Sequence, residues 1–339
     1  MTTTAAPQDQ IVRLMQVSQD QRDLEWIKTS LQAAIALELS TIPPYLCGLW
    51  SIRNPAPGEQ GEQAAQLIRS IVIDEMFHMG LASNMLSAIG GTPQIIAAAP
   101  AYPGPLPGGV RPQLTVYLSG LTKEYVREVF MEIEMPEDPL ALAREEGPPT
   151  IGAFYEALSE AFRQVQPAIS MNRQLSRGVG TNNLAPVTDL ADVEDSIDLI
   201  KEQGEGTSTS PEAPQAAGEL AHYYKFGEIY YGRELRQVNG RWEFTGDVVP
   251  FPDVYPMGVV PAGGWPNPDP EVQDLLRTFN ENYTSILQDL ERAWAEGNED
   301  ALTSSIGTMF LLQGTADELL TIPLPSGDGS YGPEFRVTT

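Results

Sequence analysis

Ile71-Val-Ile-Asp-Glu75-Met-Phe-His78 and Glu219-Leu-Ala-His222 hold the two histidines of the chain, each three residues after a glutamate. On a helix, positions i and i+3 share a face one turn apart, so each Glu-x-x-His can offer a carboxylate oxygen and an imidazole nitrogen to one ion. Two such helices, each facing a helix that adds one more glutamate, make a dinuclear carboxylate site in a four-helix bundle. The stripe around the first motif supports this reading. Ile68, Ile71, Glu75, His78, Ala82 and Met85 recur on one face, and a carboxylate or imidazole on such a face costs several kcal/mol (~2–7) if left unpaired. An ion would pair both.

A dinuclear site of this kind takes about six protein ligands, and the two motifs supply four. Glu38 is the natural fifth: it follows Ile35 by three residues on a stripe through Leu24, Ile27, Leu31 and Ile42. Three carboxylates compete for the sixth place. Glu202 ends a predicted helix whose loop leads back to the second motif, so an antiparallel return brings it near Glu219. Glu156 is the alternative, although it leaves the stripe of Ile151, Tyr155, Leu158 and Phe162. Glu134 is a third. Tyr223, beside His222, is the candidate catalytic residue, as a hydrogen-bond donor near the ligands or as a redox-active phenol. Tyr224, Tyr230 and Tyr231 read as packing residues.

Bulk properties exclude several classes. With 46 acidic and 20 basic residues the formal charge is −26, which opposes nucleic acid and anionic lipid. The longest apolar runs fall far short of the roughly twenty residues that span a bilayer. Met1 to Gln10 is polar and lacks the basic start and apolar core of a secretory signal. The single cysteine, Cys47, rules out an intrachain disulfide and reads as a small buried hydrophobe in a cytoplasmic protein.

Periodicity predicts helices over 21–50, 62–89, 123–134, 150–165, 189–203 and 215–235. Pro43 and Pro44 are expected to kink or end the first. Val238-Asn-Gly-Arg-Trp-Glu-Phe244 carries the Asn-Gly signature of a tight hairpin, and 114–118 alternates like a short strand. The proline-rich stretches 97–112 and 250–270 are too long to be simple connectors and are expected to cover a substrate entrance. Two final helices, 271–296 and 298–320, read as an antiparallel pair. The expected organisation is a metal-binding bundle with insertions over 1–250 and a helical pair over 251–339 packed on it.

Several segments together bring a family into view. Ala36-Leu-Glu-Leu-Ser-Thr-Ile-Pro-Pro-Tyr45, Asp74-Glu-Met-Phe-His-Met79, Asn84-Met-Leu-Ser-Ala-Ile-Gly-Gly91, Thr150-Ile-Gly-Ala-Phe-Tyr155, Gln203-Gly-Glu-Gly206, Glu219-Leu-Ala-His-Tyr-Tyr-Lys-Phe226 and Tyr331-Gly-Pro-Glu-Phe335 resemble the ferritin-like family that includes the iminophenyl-pyruvate dimer synthase of violacein and related bisindole pathways. The resemblance implies a mostly α, ferritin-like four-helix bundle with extra C-terminal helices, long proline-rich loops and a small β-hairpin. It also implies iron as cofactor; the two motifs call for two ions, and the carboxylate and imidazole donors leave manganese as the alternative. The expected function is a non-haem di-iron oxidoreductase that uses dioxygen or peroxide to oxidise a small amino-acid-derived molecule in secondary metabolism. The alternative is a non-redox metal-dependent lyase or cyclase, or a metal-binding partner protein in a biosynthetic complex. Expected partners are the small-molecule substrate and dioxygen, with homo-oligomerisation or a pathway enzyme partner left open. Neither nucleic acid nor membrane is expected.

Overall fold

Two 27-residue helices, Leu24–Trp50 and Glu62–Ala88, pack against each other along their length and form the frame of the molecule. The computed structural model describes residues 9–53, 55–136, 150–207, 210–213 and 219–338. Asp23 starts the first helix by accepting from the Trp26 backbone N–H at 2.9 Å, which satisfies one of the free donors of its first turn. Gly90, at φ +79°, follows the end of the second.

The first helix runs through Pro43 and Pro44 to Trp50, where the sequence suggests a kink or an end. Proline at 44 removes the N–H that would bond the Ser40 carbonyl. That carbonyl instead accepts the Tyr102 hydroxyl at 2.7 Å. Both prolines are buried, so packing on every side holds the helix together across the missing bonds.

Around this pair lie Ile151–Val165 and Leu190–Glu205, which pack on each other. A helical stretch over 123–133 is built from an α-helical start, Lys123–Tyr125, a π-helical turn, Val126–Phe130, and an α-helical end, Met131–Ile133. The second histidine motif departs from expectation. Its helix is His222–Tyr231, while Glu219–Leu220 is a short strand paired with Glu212–Ala213. Residues 215–218 of the predicted helix lie outside the described residues. The Ala221 N–H donates to the Pro211 carbonyl at 2.8 Å, and Ala221 at φ −64°, ψ 157° is extended, so helical geometry cannot begin before His222.

The Asn239-Gly240 hairpin forms as read, joining Arg233–Val238 to Arg241–Val248 with both turn residues at positive φ. Pro270–Glu296 and Glu299–Thr321 make the terminal antiparallel pair. The pair is anchored by the Trp294 indole N–H, which donates to Asn84 Oδ1 at 2.9 Å, and by Phe335, stacked on Trp50 at 5.9 Å. Cys47 is buried, as a small hydrophobe would be. Among the described residues no helix is long and apolar enough to cross a membrane.

Candidate metal centre

Three carboxylates and two imidazoles meet in the interior of the bundle. Glu38 comes from the first long helix, Glu75 and His78 from the second, Glu134 from the residue after Ile133, and His222 from the first turn of its helix. All five are buried. Their potential ligand atoms form two groups, Glu38 with Glu75 and His78, and Glu75 with Glu134 and His222, each with all atoms within 4.8 Å of one another. Glu75 belongs to both.

Each carboxylate has one oxygen tied to a hydroxyl and the other turned towards a histidine. Thr41 Oγ1 donates to Glu75 Oε2 at 2.7 Å, and Glu75 Oε1 lies 2.9 Å from His222 Nδ1 and 3.9 Å from His78 Nδ1. The Tyr155 hydroxyl donates to Glu38 Oε1, and Glu38 Oε2 lies 3.6 Å from His78 Nδ1. The Tyr45 hydroxyl donates to Glu134 Oε1, and Glu134 Oε2 lies 3.6 Å from His222 Nδ1. Tyr45 is itself fixed by ring contacts to Phe130 at 4.8 Å and Phe226 at 5.0 Å.

Both imidazoles turn Nδ1 to the centre and Nε2 away from it. Nε2 of His78 meets Gln203 Oε1 at 2.7 Å, and Nε2 of His222 meets Asp74 Oδ2 at 3.3 Å. With the proton on Nε2, the Nδ1 lone pairs face the carboxylates, which is the tautomer a metal requires. Asp74 is held in turn by Asn182 Nδ2 at 2.8 Å and by Lys225 Nζ at 3.5 Å. Its pKa sits well below the ordinary range: burial alone would raise it, and the His222, Lys225 and His78 charges outweigh that effect.

Without cations the centre is electrostatically crowded. Burial first, then the Glu134 charge and that of Glu38, push the Glu75 carboxyl up to about 8. Burial would raise Glu38 too, but its bonds to His78 and Tyr155 bring it down. Both histidines stand above their ordinary value, His222 well above, because surrounding carboxylates overcome the opposite effect of burial. His222 Nδ1 is a buried nitrogen with no hydrogen-bond partner despite two carboxylate oxygens within 3.6 Å. A cation between these groups would relieve the repulsion among the carboxylates and give the unpartnered His222 Nδ1 a partner, so the residues present fit a metal pair.

A cavity opens at the centre, among Ile133, Ile151 and Ile200, with a volume of about 40 Å³. Gly152, Lys201 and Glu205 also line a second, larger hollow of about 630 Å³ outside it. Neither proline-rich stretch lines the inner cavity, in contrast to the expected cover over the entrance.

Of the residues singled out from sequence, Glu38, Glu75, His78 and His222 are brought together, and Glu202, Glu219, Glu156 and Tyr223 are set apart. Glu219 precedes its helix, is exposed, and bonds Lys225 Nζ at 3.2 Å. Glu202 lines the outer hollow, and its neighbour Gln203 points inward instead. Glu156 is exposed and paired with Lys201 at 2.6 Å. Tyr223 stands edge-on to Tyr224, and the charged neighbours that act on it are Arg127, Glu132 and Arg111 rather than the central carboxylates. Glu134 takes the place expected of Glu202. Thr41 and Tyr45 were legible in principle, since 38, 41 and 45 share a helical face.

A family model described as ferritin-like matches residues 31–231. A solved structure described as a ferritin-like protein from Caulobacter vibrioides is similar, at TM-score 0.65 and 24% identity, over 92% of this chain and 97% of that one. No curated protein matches the chain.

Proposed function

The chain belongs to the ferritin-like family, and on that premise we propose that it is a non-haem di-iron enzyme that oxidises a small organic molecule with dioxygen or peroxide. The observation that carries the reading is the pair of buried three-residue groups that share Glu75. One ion would be held by Glu38, Glu75 and His78, the other by Glu75, Glu134 and His222. Iron is favoured by the mixed carboxylate and imidazole donors, with manganese as the alternative. When bound, such a pair supplies one-electron redox chemistry and coordination positions open to dioxygen.

The chain's own residues set the conditions. Gln203 and Asp74 fix which nitrogen of each imidazole faces inward. Thr41, Tyr45 and Tyr155 leave each glutamate one oxygen for the centre and prevent rotation about the carboxylate. The inner cavity, lined in part by Ile133, Ile151 and Ile200, has at about 40 Å³ room for a diatomic molecule or water but not for an organic substrate. An organic substrate belongs in the outer hollow of about 630 Å³, a volume typical of small-molecule sites. The resemblance of the quoted segments to a dimer synthase family is what suggests an amino-acid-derived substrate in secondary metabolism.

The test is an anaerobic sample loaded with ferrous iron and then exposed to dioxygen. New near-ultraviolet and visible ligand-to-metal absorption, with dioxygen consumed, is expected in the wild-type protein and is lost in His222→Ala. A protein that binds iron and leaves dioxygen unconsumed would overturn the oxidative reading.

A further inference from the structure

The last helix, Glu299–Thr321, packs one face on its antiparallel neighbour and leaves the other uncovered. At about 100° per residue, Asp300, Thr303, Gly307, Gly314, Glu318 and Thr321 fall within roughly 30° of one line along it, with Phe310 and Leu311 about 50° to either side. All of them are exposed. Phe310 is 78% exposed and Leu311 59%, so two large apolar side chains stand in water side by side.

The composition of this face sets it apart. From Ala301 to Ala316 no residue is charged, in a protein with 46 acidic and 20 basic residues. The neighbouring helix, Pro270–Glu296, turns Asp274, Arg277, Glu281 and Arg292 outward, as a solvated helix does. Gly307 and Gly314 have no neighbour within 4 Å of where a Cβ would stand. Glycine weakens a helix relative to alanine, and no contact within the chain calls for it here, whereas a second helix laid along the face would approach closely over both.

A second copy of the chain is the occupant that the charge pattern fits. Like charge opposes self-association of a chain at −26, so the contact has to avoid facing carboxylates. An antiparallel copy centred between Phe310 and Leu311 brings residues equidistant from that point level with one another. Gly307 then lies level with the partner's Gly314, Thr303 with the partner's Glu318, and Asp300 with the partner's Thr321. Each acid meets a threonine. Arg177 donates to Thr303 Oγ1 at 3.3 Å, which puts a cation where the partner's Glu318 arrives. The two-fold axis sets Phe310 against its own counterpart on one side of the glycine seam and Leu311 against its own on the other, which removes both from water.

We propose that the chain forms a two-fold dimer through Glu299–Thr321, packed antiparallel about Phe310 and Leu311, with Arg177 paired at each end to the partner's Glu318. The metal centre takes no part in this contact, and neither reading depends on the other.

Sedimentation velocity of the full chain over a concentration series tests the inference. The wild-type protein should reach twice the chain mass as concentration rises. Phe310→Glu, at a solvent-facing position of the single chain, should weaken the dimer roughly hundredfold and leave the circular dichroism unchanged. Arg177→Glu and Glu318→Arg each set like charges together twice per dimer, and each should weaken it roughly tenfold or more, while the double variant R177E/E318R should return to within about threefold of the wild type. A wild-type chain that stays monomeric would leave the face to a different partner and overturn the proposal. So would a dimer that survives in folded Phe310→Glu, which places the contact elsewhere, or a double variant no tighter than either single one, which breaks the register. If Phe310→Glu loses its helical signal, the charge-swap series decides alone.

Discussion

The division of each carboxylate between a hydroxyl and an imidazole is the arrangement on which the centre depends. Side chains that do not themselves face the centre set it, and Gln203 is the clearest of these because its carbonyl oxygen takes the outer nitrogen of His78 at 2.7 Å. Gln203→Leu keeps the bulk and leaves that nitrogen without its partner. We expect metal affinity to fall by about 10- to 100-fold, as for other groups that orient metal-bound histidines. Competition with a chromophoric chelator measures it, and unchanged affinity would show that Gln203 does not orient the ring. At this scale the sequence is legible to within one residue. Residue type points to Glu202 and Glu156, whereas the structure turns their neighbours Gln203 and Tyr155 inward. One residue is about 100° of rotation on a helix, and a preference for acidic side chains overrides facing in such a choice. A buried glutamine or tyrosine does not announce itself as a partner of a metal ligand.

Long elements are legible where apolar spacing is regular and obscure where the backbone leaves α-helical geometry. Glu134 comes after a stretch with a π-helical turn at Val126–Phe130. Such a turn adds a residue to the ladder and rephases every later side chain of the helix, so α-helical spacing could not place Glu134. The second Glu-x-x-His fails for a related reason. Glu219 is in a strand, and the i to i+3 geometry that gives the motif its meaning holds only within a helix. The prolines of the first helix make the converse case, a breaker overridden by tertiary contact. Tyr102→Phe removes the donor to the Ser40 carbonyl, which lies two residues from Glu38 along the chain. Loss of about 1–3 kcal/mol in denaturant unfolding is expected, the cost of leaving a buried carbonyl unpaired. A change near zero would mean that the proline helix does not rely on this bond.

For the molecule as a whole, the buried charges predict how stability varies with pH and metal. Glu75, pushed up to about 8 in the metal-free protein, binds its proton more tightly folded than unfolded. Its contribution is complete below the ordinary 4.5 and is lost as pH rises through about 8. His78 and His222, also raised, lose theirs in the same direction, above their ordinary 6.5. Glu38 and Asp74, both lowered, act oppositely, and their contribution is lost only as pH falls through the ordinary carboxylate range and below. The metal-free protein should therefore have its highest Tm in mild acid and lose stability towards pH 8. Bound cations take the place of the Glu75 proton, so the loaded protein should show a smaller decline. Parallel profiles with and without chelator would contradict this. The most direct test of the central claim is the metal content of iron-replete protein, measured by elemental analysis in the wild type, Glu134→Gln and Glu219→Gln. The account predicts close to two ions per chain in the wild type and in Glu219→Gln, and close to one in Glu134→Gln. Wild-type protein without bound metal, or a loss in Glu219→Gln with none in Glu134→Gln, would contradict it.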